Sequence, residues 1–163
     1  NLPEAQMDRF LMRVVVDYPS SSDELAILER AESDHFRYQN LLAKTSQLDV
    51  LTAREEAKKV YLSLSLKEYI VSLVTATRNP AKYDPTLTKW IAHGASPRAT
   101  LSLMKTSKAL AWLRGDAYVT PDHIQTVASD VLSHRIYPSY ESEADNVSRS
   151  EIINRLLQQV AVP

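Results

Sequence analysis

The residue best placed to do chemistry in this sequence is Arg98, at the predicted start of a helix. The run His93–Ala99 contains one of the 2 glycines among 163 residues, followed by Ser96 and Pro97. A serine side chain accepts hydrogen bonds from the free N–H groups of a first helical turn, and proline suits the first helical position. Arg98 then falls where the helix dipole favours anions. Two interpretations are open: a solvated surface arginine, or a cation that meets an incoming anion such as a phosphate.

Most other kinds of chemical site are excluded by residue type or spacing. The sequence has no cysteine, which removes disulfides and thiolate metal sites and fits a cytoplasmic location. On one helix His123 and His134 would stand about 16 Å apart, too far to share an ion. We expect the histidines to be surface or capping residues. The sequence contains no Gly-x-Ser-x-Gly elbow, and neither Lys44-Thr45 nor Lys105-Thr106 follows a glycine-rich loop, so we expect no phosphate loop of the Walker type.

The charge balance argues against nucleic acid or membrane partners. The formal net charge is −1, so no global positive field exists to attract nucleic acid or anionic lipid. The basic residues within 54–59 alternate with glutamates, as on a solvated helix face. No apolar run approaches the roughly 20 residues that span a bilayer, and no signal peptide is evident at the first residues.

The elements that position Arg98 are predicted to be helical, with one exception. Phe10–Val16 is a short, β-branched, mostly apolar run that ends at Asp17-Tyr18-Pro19, which predicts a buried strand. One strand cannot form a sheet, so we expect its partners to lie in sequence not present here.

Capping residues predict where the helices begin. The predicted helices are 21–32, a helix opened by Thr52, 65–78, 96–114, 120–132 and 148–160, and the segments 33–51, 82–92 and 139–146 are mainly connections. Gly94 is interpreted as structural, allowing a tight turn into the helix of Arg98. The predicted fold class is mainly α: a bundle of four to five helices preceded by one strand and one helix.

Several motifs, in order along the chain, resemble the MoxR-type AAA+ proteins. The run Leu2–Phe10, Leu-Pro-Glu-Ala-Gln-Met-Asp-Arg-Phe, resembles the end of that family's ATPase core, and Gly94–Ala99 resembles its lid motif. The further similar stretches are Tyr18-Pro19-Ser20, Tyr69-Ile70-Val71, Ala76-Thr77-Arg78, Tyr118–Asp122, Val131–Arg135 and Val160–Pro163. The resemblance covers nearly the whole chain.

The resemblance implies a C-terminal fragment with two parts: residues 1–50 as the end of the AAA+ core, and 52–163 as the helical lid. Arg9 matches the arginine finger that reaches a neighbouring subunit's γ-phosphate, and Arg98 matches the sensor-2 arginine of the same subunit. Glu4 is a weaker match, as a residue that positions the finger. The family implies ATP and Mg²⁺ in the parent protein, a ring such as a hexamer, chaperone-like remodelling, and partners with von Willebrand factor A domains. The fragment lacks the Walker A and B segments, so alone we predict no bound cofactor, no metal and no hydrolysis.

Alternatives from other classes stay open at this point. Arg9 could instead cap a strand end, or pair with Asp8 or Glu4. The chain could be a stand-alone helical adaptor that binds a protein partner, in which case the fold should contain no orphan strand. A lid from a magnesium-chelatase or replicative-helicase ATPase is a third possibility, which the Leu-Pro-Glu-Ala-Gln run disfavours.

Overall fold

The computed structural model describes residues 4–32 and 45–163. It divides into two compact units, one formed by Asn1–Arg13 with Ala53–Pro163, and the other by Val14–Thr52. The described residues are mainly helical, which confirms the predicted fold class. The expected division into 1–50 and 52–163 stays a prediction.

The helices and strands are short to medium in length. The helices are α1 (Glu4–Met7), α2 (Ser21–Glu32), α3 (Gln47–Lys59), α4 (Leu64–Arg78), α5 (Pro85–Trp90), α6 (Pro97–Arg114), α7 (Pro121–Leu132), α8 (Tyr140–Ala144) and α9 (Arg149–Gln159). Two short strands, β1 (Ile91–His93) and β2 (Tyr137–Pro138), pair antiparallel. A 3₁₀ turn, Pro80–Lys82, follows α4.

The core of the larger unit is built from the apolar stripes of α4, α6, α7 and α9. The fully buried large side chains are Ile70, Leu73, Leu87, Leu103, Ile124, Leu132, Ile136, Ile152, Ile153 and Leu156. The i, i+3, i+4 spacing in the sequence of α4 predicts one buried face. The structure confirms it, since the residues at that spacing are all buried: Leu66, Tyr69, Ile70, Leu73, Val74 and Thr77. The helix ends at Arg78, before Asn79-Pro80, as expected for a residue preceding proline. These packed helices provide the rigid support on which the start of α6 is held.

The ends of α6 follow the predicted capping chemistry. The Ser96 side chain accepts from the backbone N–H of Arg98, Pro97 is the first helical residue, and Gly115 ends the helix with φ 79°. Glycine adopts this left-handed conformation without steric cost. The predicted bounds of α6 are therefore confirmed at both ends.

Gly94 is required for a reason that differs from the tight turn predicted for it. A Cβ built on Gly94 would stand 2.3 Å from the backbone oxygen of Thr77. The Thr77 hydroxyl also accepts from the backbone N–H of Ala95 at 2.9 Å and donates to Val74 O at 2.7 Å. The loop before α6 thus lies directly against the end of α4, and only a residue without a side chain fits there.

The strand predicted at Phe10–Val16 is wrong for this chain. These residues form neither strand nor bridge, and Val14, Val15 and Val16 are 69%, 65% and 88% exposed. A β-strand requires a neighbouring strand to pair its N–H and C=O groups, and no described segment supplies one. The apolar pattern of Phe10–Val16 is a local property of the sequence, but the pairing that makes a strand is not.

Smaller corrections concern helix starts and connections. α3 begins at Gln47, where Ser46 and Asp49 exchange capping hydrogen bonds, and not at Thr52. The segments expected to be connections contain α5 and α8. Of the expected connection 33–51, residues 33–44 lie outside the described part of the chain.

Candidate functional site

Arg98 lies at the N-terminus of α6 with its guanidinium largely in solvent. Its side chain is 55% exposed, and its Nη1 atom stands 3.5 Å from Oδ2 of Asp8. The Ser96 hydroxyl accepts from the Arg98 backbone N–H at 3.2 Å, which fixes the first turn. The helix therefore presents a cation beside its own positive end, and an anion already faces that cation.

That anion, Asp8, is the centre of a polar cluster formed with Ser96, Arg98 and Arg135. Its carboxylate accepts from the Ser96 hydroxyl at 3.0 and 2.8 Å. It also accepts from Arg135 Nε at 3.2 Å, and the Asp8 side chain is 18% exposed. One carboxylate thus joins the segment after α1 to the start of α6 and to the residues that follow α7.

Arg135 is the buried member of the cluster, with a side chain only 1% exposed. Its Nη1 donates to Val131 O at 2.6 Å and Leu11 O at 3.2 Å. Its Nη2 donates to Asp8 O at 3.2 Å, to Ser102 Oγ at 3.1 Å and to Phe10 O.

Every nitrogen of this guanidinium has an acceptor, which is what allows a charged group to be buried. Burial lowers the pKa of Arg135, and the facing Asp8 carboxylate acts in the opposite direction. An arginine remains charged at neutral pH under such conditions.

His134 binds the same segment from a second direction. Its Nε2 lies 3.3 Å from Phe10 O, so the ring must donate from Nε2, and its buried Nδ1 has no hydrogen-bond partner among the residues that the structure describes. Burial lowers the pKa of His134, and the neighbouring Arg135 charge lowers it further. His134 is buried against the Phe10 carbonyl, and is therefore neither the surface histidine nor the capping histidine that was expected. By contrast His123, also buried, does cap a helix, since its Nδ1 accepts from Thr120 N–H at 3.0 Å.

Arg9 follows Asp8 directly and is exposed. Its backbone N–H donates to Gln6 O at 3.2 Å, and within the described ranges its guanidinium has no ion-pair partner. The alternative pairing of Arg9 with Asp8 is not found, because Asp8 binds Ser96, Arg98 and Arg135 instead. The side chain of Glu4 lies outside the described part of the structure.

The sequence is similar to a known domain family and to proteins of other bacteria. The AAA lid domain family matches residues 88–156, a range that contains Arg98 and Arg135. The chain is 40% identical over 163 residues to the chaperone MoxR1 of Mycobacterium tuberculosis, covering 99% of this chain and 42% of that protein. It is 34% identical over 162 residues to the uncharacterized protein YeaC of Bacillus subtilis, covering 99% of this chain and 48% of YeaC.

A solved structure is similar to this chain along its whole length. The crystal structure of a candidate ATPase from Cytophaga hutchinsonii superposes with a TM-score of 0.91 at 41% identity, covering 100% of this chain and 49% of that one. The chain belongs to the MoxR family of AAA ATPases. It spans less than half the length of these relatives, and it corresponds to the part that contains the lid domain.

Membership of the MoxR family agrees with the resemblance found in the sequence. The described residues contain no orphan strand, as the stand-alone adaptor also predicted, but the similarity to MoxR proteins along the whole chain disfavours that alternative. Asp8 and Arg135 were not predicted as site residues. Both lie inside stretches that resemble the MoxR-type proteins, Leu2–Phe10 and Val131–Arg135. Those stretches are the sequence signal that marks the two residues as candidates. Their contact could not be seen, because it joins residues 127 positions apart.

Two features are absent from residues 4–32 and 45–163, a metal-binding cluster and a membrane-spanning helix. No group of histidine, aspartate and glutamate side chains there could hold a metal ion. No helix there is long and apolar enough to cross a membrane.

Proposed function

We propose that this chain supplies two arginines to the nucleotide sites of a ring-forming, Mg-ATP-dependent MoxR-type ATPase: Arg9 as the finger that acts on a neighbouring subunit, and Arg98 as the sensor-2 residue of its own subunit. The observation that carries the proposal is the exposed Arg98 guanidinium at the start of α6, facing the carboxylate of Asp8 at 3.5 Å. A phosphate oxygen arriving at this helix start would meet a cation and the positive end of the dipole together.

The chemistry of phosphoryl transfer supports arginine in both roles. Charge builds up on the transferring group, so catalysis depends on positive groups placed around it, and an arginine finger contributes roughly 10³–10⁵ in rate. Arginine suits this task because its planar fork donates two hydrogen bonds to phosphate oxygens and stays charged. The exposure of Arg9 fits a residue that acts on another subunit.

The parent protein would use these sites for chaperone-like remodelling of partner complexes. By this proposal it assembles as a ring such as a hexamer, acts in the cytoplasm where Mg-ATP is available, and engages partners with von Willebrand factor A domains. Glu4 would help to position the finger. The name of the Mycobacterium tuberculosis relative, a chaperone, supports the remodelling activity.

The test is the turnover of the full-length ATPase that contains this chain, with Arg9→Ala and Arg98→Ala introduced separately. We expect Arg9→Ala to reduce kcat about 10³-fold or more while ATP affinity in its own subunit is retained, and Arg98→Ala to weaken ATP binding as well. Arg114→Ala is the matched control, because Arg114 lies on the same helix at its opposite end, paired with Asp122. Wild-type turnover in both arginine variants would reject the assignment. The isolated chain should neither hydrolyse ATP nor bind it tightly.

A further inference from the structure

The backbone of residues 8–11 is held by the buried guanidinium of Arg135, a residue within the range that matches the AAA lid domain family. Arg135 donates to the carbonyl oxygens of Asp8, Phe10 and Leu11. Arg9 is the remaining residue of this stretch, so its backbone is fixed on both sides while its side chain extends into solvent. We call these contacts, together with the Arg135–Asp8 ion pair, the clasp.

Arg135 and Asp8 of the clasp also form hydrogen bonds with residues of α6 and α7. Arg135 donates to Val131 O in the last turn of α7 and to Ser102 Oγ in α6. The Asp8 carboxylate, on its other side, accepts from Ser96 at the start of α6. The position of the Arg9 backbone is therefore set by the helix that carries Arg98.

The two ion pairs of Asp8 differ in their exposure. The Arg135 side chain is 1% exposed and all its nitrogens are bonded, whereas Arg98 is 55% exposed and makes one contact at 3.5 Å. An exposed, long ion pair contributes little, so Arg98 can leave Asp8 for a phosphate. Removing one partner of a buried pair leaves an uncompensated charge, so the Arg135 contacts persist when Arg98 moves.

We propose that Asp8 and Arg135 are positioning residues that couple the two nucleotide sites touched by one subunit. The clasp makes Arg9 part of the same rigid body as α6, so a movement of α6 when Arg98 binds its own nucleotide also moves Arg9 at the neighbouring site. Packed side chains and hydrogen-bond networks with two discrete arrangements carry coupling between sites, and the clasp is such a network. The inference rests on the proposed function, which assigns Arg9 and Arg98 to nucleotides.

The test uses the full-length ATPase with Asp8→Asn and, separately, Arg135→Lys. Small displacements of a catalytic group reduce rate strongly, while binding contacts made elsewhere are kept. We expect kcat to fall about tenfold or more, with KM for ATP within about twofold of wild type. The matched controls are Asp122→Asn and Arg114→Lys, the same substitutions in an exposed pair of the same two residue types, 2.6 Å apart.

Hydrogen exchange supplies a readout that does not depend on activity. On adding a non-hydrolysable ATP analogue, the backbone amides of residues 9–11 should change protection together with those of the first turn of α6 in the wild type. In Asp8→Asn the two regions should respond separately. Asp8→Glu keeps the charge that faces Arg135 and moves the carboxylate by one methylene, so it tests the same coupling if Asp8→Asn or Arg135→Lys fails to fold.

The outcomes separate this inference from the proposed function. A loss of kcat with unchanged KM, together with separate exchange responses, supports the clasp. Turnover equal to that of the control variants overturns it, and so does a loss that only follows a lower folded fraction measured by thermal melting. If Arg9→Ala and Arg98→Ala themselves retain wild-type turnover, the proposed function fails first.

Discussion

At the residue scale, burial separates two arginines that share one carboxylate. The exposed Arg98–Asp8 contact belongs to a class worth about 0–1 kcal/mol, whereas breaking a buried ion pair typically costs about 3–5 kcal/mol. Arg135 is 1% exposed and Arg98 55%. The two residues are of the same type, but their surroundings bury one guanidinium completely and leave the other largely in solvent with a long, weak ion pair.

His134 gives a prediction about pH at the same scale. Burial lowers the pKa of His134 in the folded protein, so below the unfolded value of about 6.5 the unfolded chain binds more protons than the folded one. The free energy of unfolding should therefore decrease as pH falls from about 6.5 towards the lowered pKa, by at most about 1.4 kcal/mol per pH unit for one proton.

The measurement is the urea unfolding midpoint at pH 7.5 and pH 5.5. In His134→Gln, whose amide can still donate to Phe10 O, the difference between the two midpoints should shrink. His93→Gln is the control, because it is the same substitution at an exposed ring. An undiminished difference in His134→Gln would show that other groups carry the pH dependence.

At the element scale, the start of α6 is fixed by its close approach to α4. The loop backbone at Gly94 lies against Thr77 O, and the Thr77 hydroxyl accepts from Ala95 N–H. Ser96 and Pro97 then begin the helix by local chemistry. The placement of the first turn of α6, and of Arg98 within it, thus depends on a close contact between the Gly94 loop and α4 that leaves no room for a Cβ.

The two glycines should respond differently to substitution. Gly94→Ala places a Cβ 2.3 Å from a backbone oxygen, and overpacking of this kind costs roughly 1–3 kcal/mol. Gly115 has φ 79° and nothing within 4 Å of its Cβ position, so Gly115→Asn, which tolerates the left-handed region, should cost clearly less. Urea unfolding of both variants checks this order, and equal losses would contradict the close-approach explanation.

At the scale of the whole molecule, the chain is less than half the length of its MoxR relatives, and its smaller unit exposes apolar residues. Within Val14–Thr52 the exposed large side chains among the described residues are Val14, Val15, Val16, Tyr18, Leu25, Ile27, Leu28, Leu48, Val50 and Leu51. A compact unit of this size does not bury enough apolar surface to be stable by itself. We expect the rest of a full-length protein to cover this surface.

Hydrogen exchange of Val14–Val16 tests that expectation. In the isolated chain their amides should exchange rapidly, because these residues form no strand. In a full-length protein that contains this chain they should be protected, since sheet neighbours would pair their N–H groups. The amides of Ile70 and Leu73, buried in α4, serve as an internal control that is protected in both proteins. Rapid exchange of Val14–Val16 in the full-length protein would show that the apolar run is not a core strand.

The sequence by itself determined the features that depend on neighbouring residues. Ser96-Pro97 and Arg114-Gly115 fixed the ends of α6, the apolar spacing fixed the buried face of α4, and the ordered motifs identified the family. These succeed because capping and helical periodicity act over a few residues.

Only the tertiary structure decided the features that depend on distant partners. The run Phe10–Val16 has strand character but no strand to pair with, and Gly94 is needed because α4 passes close by. The contact of Asp8 with Arg135 joins positions 127 residues apart, which no local pattern encodes. Pairing, close approach and burial arise from which segments meet in space, and it is these that bury Arg135 and leave the Arg98 guanidinium largely in solvent beside Asp8.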